Sequence, residues 1–289
     1  MNRDLNWTQS WPAPAKLNLM LRIVGRREDG YHLLQTVFQF VELCDWIRFH
    51  PDATGRVSLR SVIPGVPEME DLTVRAVNLL KKTTGCHNGV CIEVEKNVPM
   101  GAGLGGGSSD AATVLIVLNY LWGLGLTVDE LMSLGLSLGA DVPIFVFGHS
   151  AWAEGVGEKI QEIDLPESWV VMVKPECHVN TKEIFMAEAL TRDSKSIKIT
   201  DFLAGQRQND CLDVVCQKHP AVKQAIDDLS EFSEARLTGT GSCVFAQFAS
   251  KQHALEVVKS LESKWFVLLS KCVNESPLRS LLNARACLS

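Results

Sequence analysis

With 289 residues, the chain is long enough for two domains of ordinary size. It is 46% hydrophobic and 21% charged, the balance of a folded globular protein and not of a disordered one. A formal net charge of -6 with no basic block speaks against a nucleic-acid backbone as partner, although glycine N–H groups and a few lysines can still hold phosphate locally. The nine cysteines are odd in number and include no C-x-x-C pair. Cys86 with Cys91, and Cys211 with Cys216, match no zinc spacing, so scattered buried thiols in a reducing cytoplasm are expected, and no metal site. Met1 to Trp11 carries Arg3 and Asp4 and lacks a long apolar core, so no signal peptide is expected there.

Beyond Pro12 and Pro14 the chain alternates. Leu17, Leu19, Leu21 and Ile23 fall on one face of a predicted strand, with Lys16, Asn18, Met20 and Arg22 on the other. Read from pattern alone, Lys16 and Asn18 face solvent together. Asp29-Gly30 signals a turn, and Tyr31-His32 after it read as packing residues. Residues 38 to 63 read as strands, with runs at Cys44 to His50 and Arg56 to Val62 separated by Pro51 to Gly55. Asp71 to Thr83 reads as a helix with Val74, Val77, Leu79 and Leu80 on its apolar side. Val90 to Glu95 alternates as a strand does, and Lys96 follows it, either on the surface or flanking a ligand.

The next stretch, Pro99-Met100-Gly101-Ala102-Gly103-Leu104-Gly105-Gly106-Gly107-Ser108-Ser109-Asp110, is the most informative in the chain. Glycine lets a backbone come close to a ligand, and the apolar run from Ala111 to Leu118 predicts a helix whose free N–H groups favour an anion. Strand, glycine-rich loop and helix start together predict a phosphate cradle, ahead of a mere turn with N-capping hydroxyls. A Walker A loop is excluded, because no Gly-Lys-Ser/Thr closes it. A dinucleotide fingerprint is formally present at Gly101, Gly103 and Gly106. It lies in the wrong context: Pro99 parts it from the strand, and Tyr120-Leu121-Trp122-Gly123 stands where an acid is required.

No charged residue occurs from Ala111 to Val128, close to the length of a membrane span of about 18 residues. Its interruption by Thr113, Asn119, Gly123 and Gly125 predicts instead a buried helix ending near Trp122. Thr127 with Glu130 forms a capping-box pattern for a helix to about Leu138. Asp141 then stands between small residues and a proline, a place where pattern alone predicts an exposed turn acid. Ala151 to Glu158 reads as strand and turn, and Leu165-Pro166-Glu167 as a linker. A domain boundary is therefore expected there, giving residues 1–164 and 165–289, with Trp169 to Val173 as the first strand of the second domain. Val179 to Phe185 starts a helix, and residues 191 to 209 are polar and predicted as loop. Arg236 to Ala246 is a second glycine-rich turn feeding a strand. Helix His253 to Leu261, strand Trp265 to Leu269 and a short tail complete the chain.

Five motifs in order carry a resemblance over essentially the whole chain: Pro14-Ala15-Lys16-Leu17-Asn18-Leu19, Asp29-Gly30-Tyr31-His32, the loop from Pro99 to Ala112, Gly139-Ala140-Asp141-Val142-Pro143-Ile144-Phe145, and Leu237-Thr238-Gly239-Thr240-Gly241-Ser242. They resemble the GHMP small-molecule kinases, and among these the kinases acting on 4-(cytidine 5′-diphospho)-2-C-methyl-D-erythritol. The resemblance implies an α+β, two-domain GHMP kinase fold. Its N-terminal domain is like ribosomal protein S5, its C-terminal domain is ferredoxin-like, and the active site lies in the cleft between them. It implies ATP-dependent phosphorylation of the substrate's 2-hydroxyl in non-mevalonate isoprenoid synthesis, with ATP as phosphoryl donor and Mg²⁺ as its companion. Lys16 and Asp141 become catalytic, Asp141 as general base and Lys16 as its charge partner. Lys96, Pro99, Met100, Gly101, Ala102, Gly103, Leu104, Gly105, Gly106, Gly107, Ser108 and Ser109 become nucleotide-binding. Asn18, Tyr31, His32, Thr181 and Phe185 become substrate-binding, with Tyr31 and Phe185 on opposite faces of the cytosine. Where the family usually carries Asn-Leu this chain has Asp71-Leu72, and no role is carried to Asp71. Asn209-Asp210 resembles the family's helix start. A cytoplasmic monomer or weak homodimer is expected, with no nucleic-acid or membrane partner. Another GHMP kinase (for homoserine, mevalonate or a sugar), an NAD-dependent oxidoreductase and a non-catalytic nucleotide-binding module remain the alternatives.

Overall fold

Two long strands frame the molecule. β1 (Ser10–Arg26) and β2 (His32–Asp52) pair antiparallel along most of their length. The fold is seen in a computed structural model that describes residues 7–28, 30–60 and 65–286. Most of the stretch read for a signal peptide, Asp29 of the predicted turn, and the end of the strand predicted to Val62 lie outside these residues. β2 joins into one element the separate runs that the sequence suggested. Around it, β3 (Val57–Leu59) runs parallel to β4 (Gly89–Glu95), and β4 pairs antiparallel with the far end of β2.

Helices α1 (Leu72–Thr84), α2 (Gly106–Trp122), α3 (Val128–Leu138) and α4 (Val142–Phe147) follow. Asp71 caps α1 by accepting from the Thr73 amide, and Thr127 with Glu130 completes the expected capping box of α3. α2 begins at Gly106, so the Ser108-Ser109-Asp110 run lies inside its first turns and not ahead of it. Residues from α1, α2, α4, β2 and β4 build the first core, with Phe49, Leu80, Ile92 and Leu115 fully buried. β5 (Ala151–Gly155) pairs with both β2 and β6 (Lys159–Glu162) and closes this unit.

The second unit runs β7 (Trp169–Lys174), α5 (Thr181–Met186), α6 (Ile199–Leu203), α7 (Leu212–Lys218), α8 (Pro220–Ser230), β8 (Arg236–Leu237), β9 (Val244–Phe248), α9 (Lys251–Leu261) and β10 (Phe266–Val273). Its strands lie in the order β10-β7-β9-β8, all antiparallel, and β10 also joins β2 to make one continuous sheet. α6 falls within the stretch predicted as loop. It is a single short turn anchored by one buried ring, Phe202, too little to give a periodic signal. The tail is also more than a tail. α10 (Pro277–Ala286) returns to the first unit and buries Leu278 in its core.

The alternation read for β1 holds only in part. A register shift between Asn18 and Met20 breaks it, and such a bulge turns later side chains to the other face. Met20 therefore joins Leu17 and Leu19 in a core shared by both units, while Leu21 and Ile23 pack into the core of the second. Neither face of this strand is solvent-facing. Among the described residues no helix is long and apolar enough to cross a membrane, and α2 is a core helix ending at Trp122. The eight cysteines among the described residues are free thiols, and burial pushes those of Cys44, Cys211 and Cys243 up to about 12.

Candidate active site

The loop between β4 and α2 is clamped from two sides. The Lys16 amide donates to Leu104 O at 3.0 Å, and the Cys243 amide donates to Ala102 O at 3.1 Å. Both glycine-rich turns therefore meet, with Thr238 Oγ1 donating to Gly103 O at 3.2 Å. Gly103 has φ +76°, and a Cβ there would stand 2.3 Å from Thr238 O. Gly105, also at φ +76°, would place a Cβ 2.6 Å from Phe145 Cζ and 3.1 Å from Lys16 Cε. Glycine is thus required twice, by conformation and by close approach. Beyond Gly105 the amides of the first turn of α2 are free of helical partners and carry the positive end of its dipole.

Lys16 projects from β1 beneath this loop and is only 2% exposed. Its Nζ donates to Asn18 Oδ1 at 2.6 Å and to Gly103 O at 3.0 Å, and lies 3.5 Å from Asp141 Oδ2. Asn18 in turn donates through Nδ2 to Thr36 Oγ1 at 2.9 Å, so the lysine's partner is itself held. Asp141 sits at the start of α4, and its side chain remains 44% exposed. A buried ammonium thus faces a reachable carboxylate. A carboxylate so placed can accept a proton from a hydroxyl that comes within hydrogen-bond reach.

Two cavities meet here. One, of about 360 Å³, is lined by Lys96, Asp110 and Asp71 and by residues 98–103 and 105–108 of the loop. The other, of about 300 Å³, is lined by Lys16, Asn18, Asp141, Thr181 and Phe185. Gly103 and Ser108 belong to both walls. Two residues grouped with the loop by sequence line neither cavity. Leu104 is buried in the core shared by the units, and Ser109 is fully buried with no hydrogen-bond partner for its hydroxyl. The helical turn that begins at Gly106 separates Ser108 from Ser109, which the sequence treated alike.

Lys96 lines the first cavity but is not free. It forms ion pairs with Asp45 and, at 2.7 Å, with Asp110. Asp45 also accepts from the amides of Asn97 and Val98, at 2.6 and 2.7 Å, which pins the strand exit ahead of the loop. Burial pushes the Asp110 carboxyl up, Lys96 pulls it down and Asp45 raises it again, leaving it at about 7. Burial lowers the Lys96 ammonium, and the two carboxylates outweigh that and raise it. Asp45 was missed by sequence reasoning. Its signal is an acid inside the apolar run Leu43-Cys44-Asp45-Trp46-Ile47, costly if unpaired.

At the far end of the second cavity, Phe185 stacks on His32 with centroids 5.1 Å apart and planes 27° apart. Thr181 Oγ1 lies 2.9 Å from Thr240 Oγ1, tying α5 to the second glycine-rich turn. Tyr31, by contrast, is 62% exposed on the turn, and neither it nor His32 lines the cavity. The structure therefore brings Phe185 to His32 and not to Tyr31. A residue that no motif indicated, Arg192, donates from Nε to His32 Nε2 at 3.3 Å and from Nη2 to Phe185 O at 3.1 Å. Among the described residues no group of three or more His, Cys, Asp or Glu side chains could hold a metal ion.

Known proteins resemble this chain over nearly its whole length. The GHMP kinases N terminal domain matches residues 71–149, and the GHMP kinases C terminal domain matches residues 186–267. The 4-diphosphocytidyl-2-C-methyl-D-erythritol kinase of Nitrosococcus oceani is 53% identical over 277 residues, 96% of this chain and 99% of that protein. The enzyme of the same name from Methylococcus capsulatus is 55% identical over 275 residues, 95% of this chain and 94% of that protein. A crystal structure of 4-(cytidine 5′-diphospho)-2C-methyl-D-erythritol kinase superposes with a TM-score of 0.79 at 30% identity, covering 91% of this chain and 99% of that one. The mevalonate kinase of Methanococcus jannaschii, at TM-score 0.69 and 15% identity over 92% of this chain and 99% of its own, shares the fold alone. With a two-domain α+β fold, a doubly clamped glycine loop and identity above one half over nearly its full length, the chain belongs to the GHMP kinases, in the family of the 4-diphosphocytidyl-2-C-methyl-D-erythritol kinases.

Proposed function

We propose that the chain transfers the γ-phosphoryl group of ATP to the 2-hydroxyl of 4-diphosphocytidyl-2-C-methyl-D-erythritol, the compound named in its relatives. The observation that carries this reading is the meeting of two cavities at Gly103 and Ser108, with Lys16 and Asp141 at the junction. The loop cavity takes the nucleotide, its phosphates on the amides of the first turn of α2. The second cavity takes the acceptor, with the cytidyl end toward Phe185. Asp141 receives the proton of the attacking hydroxyl. Lys16 offsets charge developing on the transferred group, as phosphoryl transfer demands positioning and neutralisation more than covalent help.

Mg²⁺ fits this site as a companion of the nucleotide phosphates and not in a cage of protein ligands. The Ser108 hydroxyl, which belongs to both cavity walls, is the side-chain oxygen at the junction that would reach it, and Asp141 stays free to take the proton. The ion would neutralise phosphate charge there. We read the second unit as ferredoxin-like, because its β7-α8-β8-β9-α9-β10 succession is the β-α-β-β-α-β motif. The first unit we read as S5-like, with the boundary between residues 164 and 165.

The test is ATP consumption by the purified protein with Mg²⁺ and the cytidyl substrate, beside Asp141→Asn. The expected result is turnover that falls by about 10²- to 10⁴-fold in the variant with KM for ATP retained. Turnover surviving in the variant would remove Asp141 as the base. Turnover only with mevalonate or homoserine would move the chain elsewhere among the GHMP kinases.

A further inference from the structure

Arg192 makes four hydrogen bonds, and three of them go to carbonyls: Leu190 O at 3.1 Å, Phe185 O at 3.1 Å and Ala187 O at 2.7 Å. These fix the guanidinium against the segment that leaves α5. The fourth runs from Nε to His32 Nε2 at 3.3 Å. A guanidinium nitrogen can only donate, so the imidazole nitrogen facing it must accept. An imidazole that accepts at Nε2 is neutral and carries its proton on Nδ1. Burial, and after it the charges of Arg192 and Arg26, hold the His32 pKa below the ordinary 6.5, in keeping with a neutral ring. Among the described residues Nδ1 has no hydrogen-bond partner. The ring itself is held flat against Phe185, whose backbone the same arginine grips.

We propose that Arg192 is a positioning residue that fixes His32 as its Nδ1–H tautomer, so that the imidazole presents a hydrogen-bond donor to an acceptor atom on the base of the substrate nucleotide. A cytosine offers such acceptors at O2 and N3. The inference rests on the reading that a cytidine nucleotide enters the cavity ending at Phe185 and that its base reaches past the cavity's lining to the His32 ring stacked on Phe185. One guanidinium then sets both features a base would meet here, the apolar face of Phe185 and the polarity of His32. An unheld imidazole in water populates both tautomers and can offer either a donor or an acceptor at Nδ1.

The experiment begins without any variant. Nitrogen-15 NMR of histidine-labelled protein near neutral pH is expected to give a pyrrole-like Nδ1 and a pyridine-like Nε2 for His32, assigned by their loss in His32→Gln. Any other protonation pattern overturns the proposal. In Arg192→Gln the same signals are expected to average between tautomers. KM for the cytidyl substrate should rise about three- to tenfold, the worth of one ordinary hydrogen bond. An unchanged kcat and an unchanged KM for ATP would mark the loss as one of substrate binding alone. A tautomer that persists in the variant, or one that is lost with no change in KM, also overturns it. If the wild-type protein fails to turn over the cytidyl substrate at all, the proposed function fails while the tautomer measurement still reports on Arg192.

Discussion

At the scale of single residues, Lys96 is the one whose role changes most between sequence and structure. Its position after β4 suggested contact with a nucleotide, and it does line the loop cavity. Its ammonium is nevertheless committed to Asp45 and Asp110, both almost fully buried. Removing one partner of a buried charge cluster costs far more than the cluster contributes net, because the remaining charges lose their counterion. Lys96→Met should therefore destabilise the protein by about 3–5 kcal/mol in urea unfolding. Adding Asp110→Asn should recover part of that, since it removes one of the two stranded carboxylates. A double variant no more stable than Lys96→Met would show that Asp110 is not held by Lys96. Lys16 and Asp141 were legible as a pair because their motifs are long and ordered. Asp45 and Arg192 were not, because each acts through a partner more than fifty residues away in sequence, and no local pattern records such a meeting.

At the scale of elements, α4 couples Asp141, the proposed base, to the glycine-rich loop. This helix of six residues has Asp141 at its N-terminal cap and Phe145 within it, and Phe145 packs against Gly105 and, edge to face, against Phe40. Gly105→Ala faces two separate costs. The φ of +76° disfavours any side chain by about 1 kcal/mol. The new methyl also enters the Phe145 ring, an overpacking worth about 1–3 kcal/mol more. Activity should fall with stability, because the displaced ring and loop carry Asp141 and the free amides. Phe145→Leu in the same chain should relieve the overpacking and leave the backbone cost, so that urea midpoint and kcat/KM recover in part. No recovery would mean that backbone strain alone accounts for the loss. The sequence was most legible where elements are long or capped. α1 and α3 were read within a residue or two, since their caps lie in plain view at Asp71 and Thr127. α6 and α10 were not read. Each is fixed by one or two buried anchors contributed to cores built elsewhere, and tertiary packing, not local periodicity, makes them helices.

At the scale of the whole molecule, three cores hold two units. The third takes Leu17 and Met20 from β1, Ala102 and Leu104 from the phosphate loop, and Val170, Met172 and Phe245 from the second unit. The site therefore rests on the seam between the units, and α2 joins the seam to the first core through Ala111, Ala112 and Leu115. A charge at Asp110, on that same helix, is in consequence felt by global stability. Its carboxyl is raised by burial from the ordinary 3.8 to about 7. Between those values the folded protein keeps a proton that the unfolded chain has released. Stability from this group is thus fully present below about pH 4 and is lost as pH rises through about 7. Other acids act in the opposite sense: hydrogen bonds from His50, Gln35 and Lys271 hold Glu93, Glu154 and Glu167 below the usual carboxylate range. These acids are shared by wild type and Asp110→Asn and cancel when the two are compared. Asparagine does not titrate. The variant should therefore gain stability relative to the wild type as pH rises from about 5 to about 8, as read from urea unfolding at several pH values. A difference that stays flat across that range would mean that Asp110 carries the same charge folded and unfolded. The Asp45–Lys96–Asp110 cluster would then hold two full carboxylates on one ammonium behind the loop cavity.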